Sequence, residues 1–118
     1  MNTRPTSPPR IDITGDTLAL DQRVRTQVLE AAARLRGRHP EEHLGLRVRI
    51  MEEFDQVHGR RTRCEIAVSL RARRQVVVRE ANKQWQEAIA QAFGTAQRQL
   101  RRLRHRTFER APLAANDS

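Results

Sequence analysis

The chain has 118 residues, 37% of them apolar, and its 23 Lys and Arg outnumber 14 Asp and Glu for a formal charge of +9. This length bounds it to one domain with a modest core, and the charge points to a polyanionic partner, nucleic acid ahead of an anionic membrane surface. No apolar run approaches the roughly 18 residues of a spanning helix, the opening MNTRPTSPPR is no secretory leader, and a lone Cys64 excludes an internal disulfide, so a soluble cytoplasmic protein is expected.

Proline-rich residues 1–9 and the small, polar stretch 109–118 read as disordered arm and tail around a domain at 10–108. RIDIT alternates Ile11 and Ile13 with Asp12 and Thr14, a short strand closed by the Gly15-Asp16 turn. From Asp21, a suitable N-cap, Val24, Val28, Ala31, Ala32 and Leu35 recur at helical spacing until Gly37 and Pro40 stop the helix. LGLRVRI then sets Leu44, Leu46, Val48 and Ile50 against Arg47 and Arg49, the alternation of a half-buried antiparallel strand. A polar connection over residues 51–63 leads to CEIAVSL and, soon after, RRQVVVRE, two further strands of a meander. A last helix starts near Asn82, and its stripe of Trp85, Ala88, Ile89, Ala92, Phe93, Ala96, Leu100 and Leu103 holds one face for about five turns.

The order β-α-β-β-β-α, with strands apolar on one face, implies a two-layer α+β domain: a four-stranded sheet with two helices packed on one side. RQLRRLRHR, at the end of the last helix, crowds five arginines into nine residues. Arg98, Arg102 and Arg106 fall at i, i+4, i+8, where like charges repel by a few tenths of a kcal/mol, and the helix dipole compensates only within the final turn. The first helix is basic outside as well, through Arg23, Arg25, Arg34, Arg36 and Arg38. Two basic helices side by side suit a phosphate backbone, which the planar fork of arginine grips bidentately. With no Tyr, and with Trp85 and Phe93 on the core stripe, a base-stacking platform is poorly supported, so recognition of structured RNA by shape and phosphate is the expectation.

Over residues 10–106 the layout resembles the short ribosome hibernation-promoting factors, also called ribosome-associated inhibitor or sigma-54 modulation proteins. IDITGDTLALDQRVRTQV looks like the family's opening, an I-T-G turn leading into the first helix. AIAQAFGTAQRQLRRLRHR places Ala88-Ile89, Ala92, Arg98-Gln99-Leu100, Arg102-Leu103 and His105-Arg106 where the family repeats its A-I, A, R-Q-L and basic-tail pattern. Three features depart from that pattern. Gln84 and Ala90 stand where acidic residues are usual, the aromatic before the A-I pair is displaced to Trp85, and the connection after the second strand is longer and more acidic. The second, dimerising domain of the family's long form is not expected here.

The resemblance implies a monomeric, non-enzymatic protein without cofactor, metal or small-molecule substrate, seated in the mRNA and tRNA channel of the small ribosomal subunit and blocking translation on idle ribosomes. It carries Arg25, Arg34, Arg98, Arg102 and Arg106 over as rRNA contacts; Arg36, Lys83, Arg101 and Arg104 join them on charge alone. Other readings are weighed beside it. A double-stranded RNA-binding domain shares the βββα ending but puts its basic cluster at the start of the last helix, where Lys83 stands alone. HPEEH spaces His39 and His43 four apart, but its glutamates and Pro40 do not suit a metal-binding helix, and the pair reads as exposed loop. Cys64 alternates inward with Ile66 and Val68, a core thiol. His58 with Asp55 or Glu53 is a candidate acid-base pair for RNA cleavage. An interaction module would use the acidic MEEFD stretch, anchored by Met51 and Phe54.

Overall fold

A computed structural model describes the backbone of residues 11–42 and 44–117, and their side chains except those of 72 and 105–117. The chain runs β1 (Ile11–Gly15), α1 (Gln22–Arg38), β2 (Gly45–Asp55), β3 (Gly59–Ser69), β4 (Gln75–Asn82) and α2 (Trp85–Asp117), with single-turn 3-10 segments at Thr17–Leu20, Pro40–Glu42 and Arg71–Arg73. The sheet order is β1-β2-β3-β4. β1 lies parallel to β2 because α1 is the crossover between them, while β2, β3 and β4 form the antiparallel meander. This is the α+β, β-α-β-β-β-α architecture that the sequence pattern implies.

Cross-strand registers bring the apolar positions into rows. Ile13, Val48, Ile66 and Val78 form one, and Ile11, Leu46, Val68 and Val76 the next. Their face packs on Val24, Val28, Ala32 and Leu35 of α1 and on Ala88, Ile89, Ala92, Ala96 and Leu100 of α2, all buried. Each large aliphatic side chain taken out of water in this way contributes about 1.5–3 kcal/mol. Trp85 and Leu103 are half-buried at the margins of the cluster.

Local chemistry sets the boundaries. Asp21 caps α1, its carboxylate accepting from the Arg23 N–H at 2.8 Å. The helix passes through Gly37 to Arg38 and stops before Pro40, with His39 as C-cap. At the end of β1, Gly15 has φ +139° and passes so close to β2 that a Cβ would overlap the Ile50 carbonyl; no other residue fits there. Asp16 follows, accepting from the Leu18 and Glu52 N–H groups. At the start of α2, Asn82 Oδ1 accepts from the Gln84 N–H at 2.9 Å, and the helix begins three residues later than its periodicity suggests.

One expectation is corrected outright. Residues 51–63 are not a loose connection: β2 and β3 continue through them in register to Asp55↔Gly59, so the hairpin is eleven residues on each side. The expected disordered arm, residues 1–9, lies outside the described residues. For 109–118 only a helical backbone as far as Asp117 is described.

Candidate nucleic-acid interface

α1 and α2 lie side by side and parallel. Near their starts Gln27 Nε2 donates to the Gln86 carbonyl at 2.9 Å, and a dozen residues on His39 Nε2 meets Gln97 Oε1 at the same distance. Between these two ties runs a groove of about 270 Å³. Its α1 edge is Gln27, Ala31, Arg34 and Arg38; its α2 edge is Ala90, Phe93, Gly94 and Gln97. The small residues Ala31, Ala90 and Gly94 leave the space, and the arginines border it. On the outer side of α2 a shallower depression shares Ala90 and Gly94 and ends at Arg98. α1 ends beside Gln97, so its carboxyl-directed dipole favours cations at that end of the groove.

Arg34, Arg38, Arg98, Arg101, Arg102 and Arg104 are all exposed. Arg98 Nη2 donates to Thr95 Oγ1 at 3.0 Å, whose hydroxyl in turn donates to Glu80 on β4, so this arginine is oriented while its remaining donors face solvent. Arg102, one turn further, follows it along that flank. Arg104 faces the other way, its guanidinium 3.6 Å from Glu41 beyond the end of α1. By helical spacing Arg101 continues the edge made by Ala90, Gly94 and Gln97. The arginines therefore border both sides of α2 rather than forming one ladder. The side chain of Arg106 lies outside the described residues.

Two predicted contacts have other engagements. Arg36 is half-buried, its Nε donating to the Leu44 carbonyl at 3.1 Å, and burial lowers its pKa from the usual guanidinium value. It pins the lead into β2 to α1. Arg25, also half-buried, reaches the Ala19 carbonyl of the preceding turn at 3.5 Å. Lys83 is exposed but precedes α2, about 20 Å along the helix from Arg98, and the fold does not bring it to the cluster. Arg23 is held by Asp21 at 3.0 Å and lies over the Trp85 ring, 5.9 Å from its centroid. Sequence reasoning counted Arg38 only among the outward charges of the first helix and passed over Gln27 and Gln97. The signal was available: Gln27, Arg34 and Arg38 repeat the i, i+7, i+11 spacing of Ala90, Gln97 and Arg101, the mark of one helix edge.

The competing chemistries find little support. His39, read as an exposed loop residue, is 2% exposed and tied to Gln97, and His43 lies outside the described residues. Among the described residues no group of His, Cys, Asp and Glu is arranged to hold a metal ion. Burial pushes the Cys64 thiol up to about 12, so it stays protonated and unreactive. His58 Nδ1 does lie 3.2 Å from Asp55 Oδ2, but His58 is exposed at the hairpin tip, and the half-buried Asp55 also accepts from the Val57 and His58 N–H groups and acts as the cap of the turn. Glu53 is engaged by Arg61 and Arg63 instead of His58. No helix among the described residues is long and apolar enough to cross a membrane.

With this geometry in view, residues 11–107 match the family described as sigma 54 modulation protein / S30EA ribosomal protein. The chain belongs to that family. Its members are not enzymes, in keeping with the reading of this chain as non-catalytic. Two solved structures share the fold. The Protein Y N-terminal domain of Thermus thermophilus matches with 24% identity and a TM-score of 0.65, over 82% of this chain and 99% of that one. A ribosomal subunit interface protein from Coxiella burnetii matches with 12% identity and a TM-score of 0.63, over 80% and 97%. Among curated protein sequences no match is found.

Proposed function

We propose that this protein is a ribosome-associated translation inhibitor of the hibernation type, which contacts rRNA of the small subunit through α1 and α2 and occludes the mRNA and tRNA channel. The observation that carries the reading is the groove between two parallel helices, bordered by exposed arginines on both edges, in a chain of the S30EA family. Arg34 and Arg38 face it from α1, and by helical spacing Arg101 continues its α2 edge, while Arg98 and Arg102 lie along the outer flank of α2. Their guanidinium groups suit the phosphates of an RNA backbone, and the described surface of the two helices presents no aromatic platform for stacked bases. The protein acts as a cytoplasmic monomer with no substrate of its own.

A double-stranded RNA-binding role is less well served. The start of α2 holds Lys83 with Glu87 in the first turn, whereas the positive charge gathers in the middle of the helix, from Arg98 onward. Sedimentation of a stationary-phase lysate through sucrose at low and high salt tests the proposal. Salt-sensitive migration with small subunits or whole ribosomes is the expected result. Recovery only at the top of the gradient at low salt would refute it.

A further inference from the structure

The β2–β3 hairpin outruns the sheet that supports it. β1 pairs with β2 only as far as Gly15↔Ile50, and β4 leaves β3 at Thr62↔Asn82, while β2 and β3 go on to Asp55↔Gly59. The Asp16 carboxylate still takes the Glu52 N–H at 2.8 Å, and beyond Glu52 and Thr62 the two-stranded ribbon projects with no strand paired to either edge. Phe54 continues the inward alternation of Leu46, Val48 and Ile50, but no helix covers it there and it is 76% exposed; Val57, at the turn, is 84% exposed. These are the most exposed large apolar side chains among the described residues.

A free two-stranded ribbon is marginal in water, and this one is braced. Glu53 receives Arg63 Nε at 2.8 Å and Arg61 Nη2 at 3.1 Å across the strands. The Asp55 carboxylate closes the turn on the Val57 N–H at 2.7 Å. The bracing also cancels charge: between Met51 and Arg63 the acids Glu52, Glu53 and Asp55 balance Arg60, Arg61 and Arg63. In a chain of formal charge +9, the ribbon has no cationic surplus to attract phosphate. What it offers is an exposed aromatic and an exposed aliphatic on a pre-ordered support, which reduces the entropy lost on docking.

We propose that the ribbon tip is a protein-docking element: Phe54 and Val57 insert into an apolar recess of a ribosomal protein next to the RNA that the helices engage. The inference rests on the ribosome reading above. It gives the particle two kinds of contact, a salt-sensitive one at the helices and an apolar one at the tip.

The test uses the full chain and purified small subunits. Affinity is measured against salt for wild type, Phe54→Ala and Val57→Asp, and a photoreactive benzoylphenylalanine placed at position 54 is irradiated in the complex. Because both side chains are exposed, neither substitution removes core packing. Each variant is expected to bind roughly tenfold more weakly, the loss typical of a buried interface anchor, with the slope against salt unchanged. The cross-link is expected to join a protein and to survive ribonuclease. Wild-type affinity in both variants, a cross-link to RNA, or a loss that appears as an altered salt slope would each overturn the inference while leaving ribosome binding intact. Failure of the wild-type chain to bind subunits at all would overturn both readings together.

Discussion

Replacing Arg98 and Arg102 by alanine should change the salt dependence of ribosome binding more tellingly than its strength at any one salt concentration. Arg34, Arg38, Arg98, Arg101 and Arg102 are exposed on the two helices and form no ion pair among the described residues, whereas Arg104 shares its charge with Glu41. If each of the former neutralises one phosphate, at about 0.7–0.9 of slope per contact, log affinity should fall against log salt with a slope of about −3.5 to −4.5. The double variant should retain about −2.1 to −2.7. Between about 50 and about 200 mM salt, wild type would then lose roughly 100- to 500-fold in affinity and the variant only roughly 20- to 40-fold. Arg98 spends one bond on Thr95 and neither side chain is buried, so the fold should survive, which circular dichroism and thermal melting check. Titration of labelled protein with small subunits at several salt concentrations reads the slopes. Equal slopes for the two proteins would refute the assignment of these arginines to phosphates, even if the variant bound more weakly throughout.

Gly15→Ala should destabilise the domain by about 3 kcal/mol or more, because φ +139° is strained for a side chain and the new Cβ meets the Ile50 backbone rather than a movable group; urea unfolding reads the loss, and an unchanged midpoint would refute it. The Arg63 guanidinium, with Arg61 second, holds the Glu53 carboxyl below its ordinary pKa of 4.5. A depressed folded-state pKa adds stability that is present above the unfolded value and lost as pH falls through the folded one. Glu53→Gln should therefore cost stability near pH 7 and progressively less below about pH 4, as denaturant unfolding across pH will show. Cys64, 0% exposed and with its thiol raised to about 12, should label with a thiol reagent at pH 8 only as fast as the sheet opens; immediate labelling of the folded protein would contradict its place in the core.

Much of the fold was legible because apolar periodicity reports burial directly. Every residue from Ala88 to Leu100 that the α2 stripe marked as inward is buried, as are the inward positions of β2 and β3 from Leu44 to Ile50 and from Cys64 to Leu70. The pattern failed where the same strands leave the cover of the helices. Glu52 and Phe54 occupy inward-facing positions of β2, yet both are exposed, so polar and apolar residues are equally tolerated and the alternation that announces a strand disappears. A connection and a projecting hairpin then look alike in sequence; only the pairing of Glu53 with Arg61 across the ribbon distinguishes them.

The site was legible as charge but not as geometry. Arginine is ambiguous because its long stem lets the head return to the backbone. Arg36 and Arg34 lie two residues apart, and nothing in their type separates the one that secures Leu44 from the one that lines the groove. What separates them is the angle around α1: Arg34 falls on the edge with Gln27 and Ala31, while Arg36 turns toward the start of β2. The same holds on α2, where Ala90 and Gly94 are unremarkable as sequence but, being small on an exposed edge, open the space between the helices. An acidic residue is usual in the family pattern at position 90, and alanine here leaves that edge without a carboxylate opposing Arg34. The groove's positive character thus comes as much from what the sequence omits at one helical edge as from the arginines it repeats at the next.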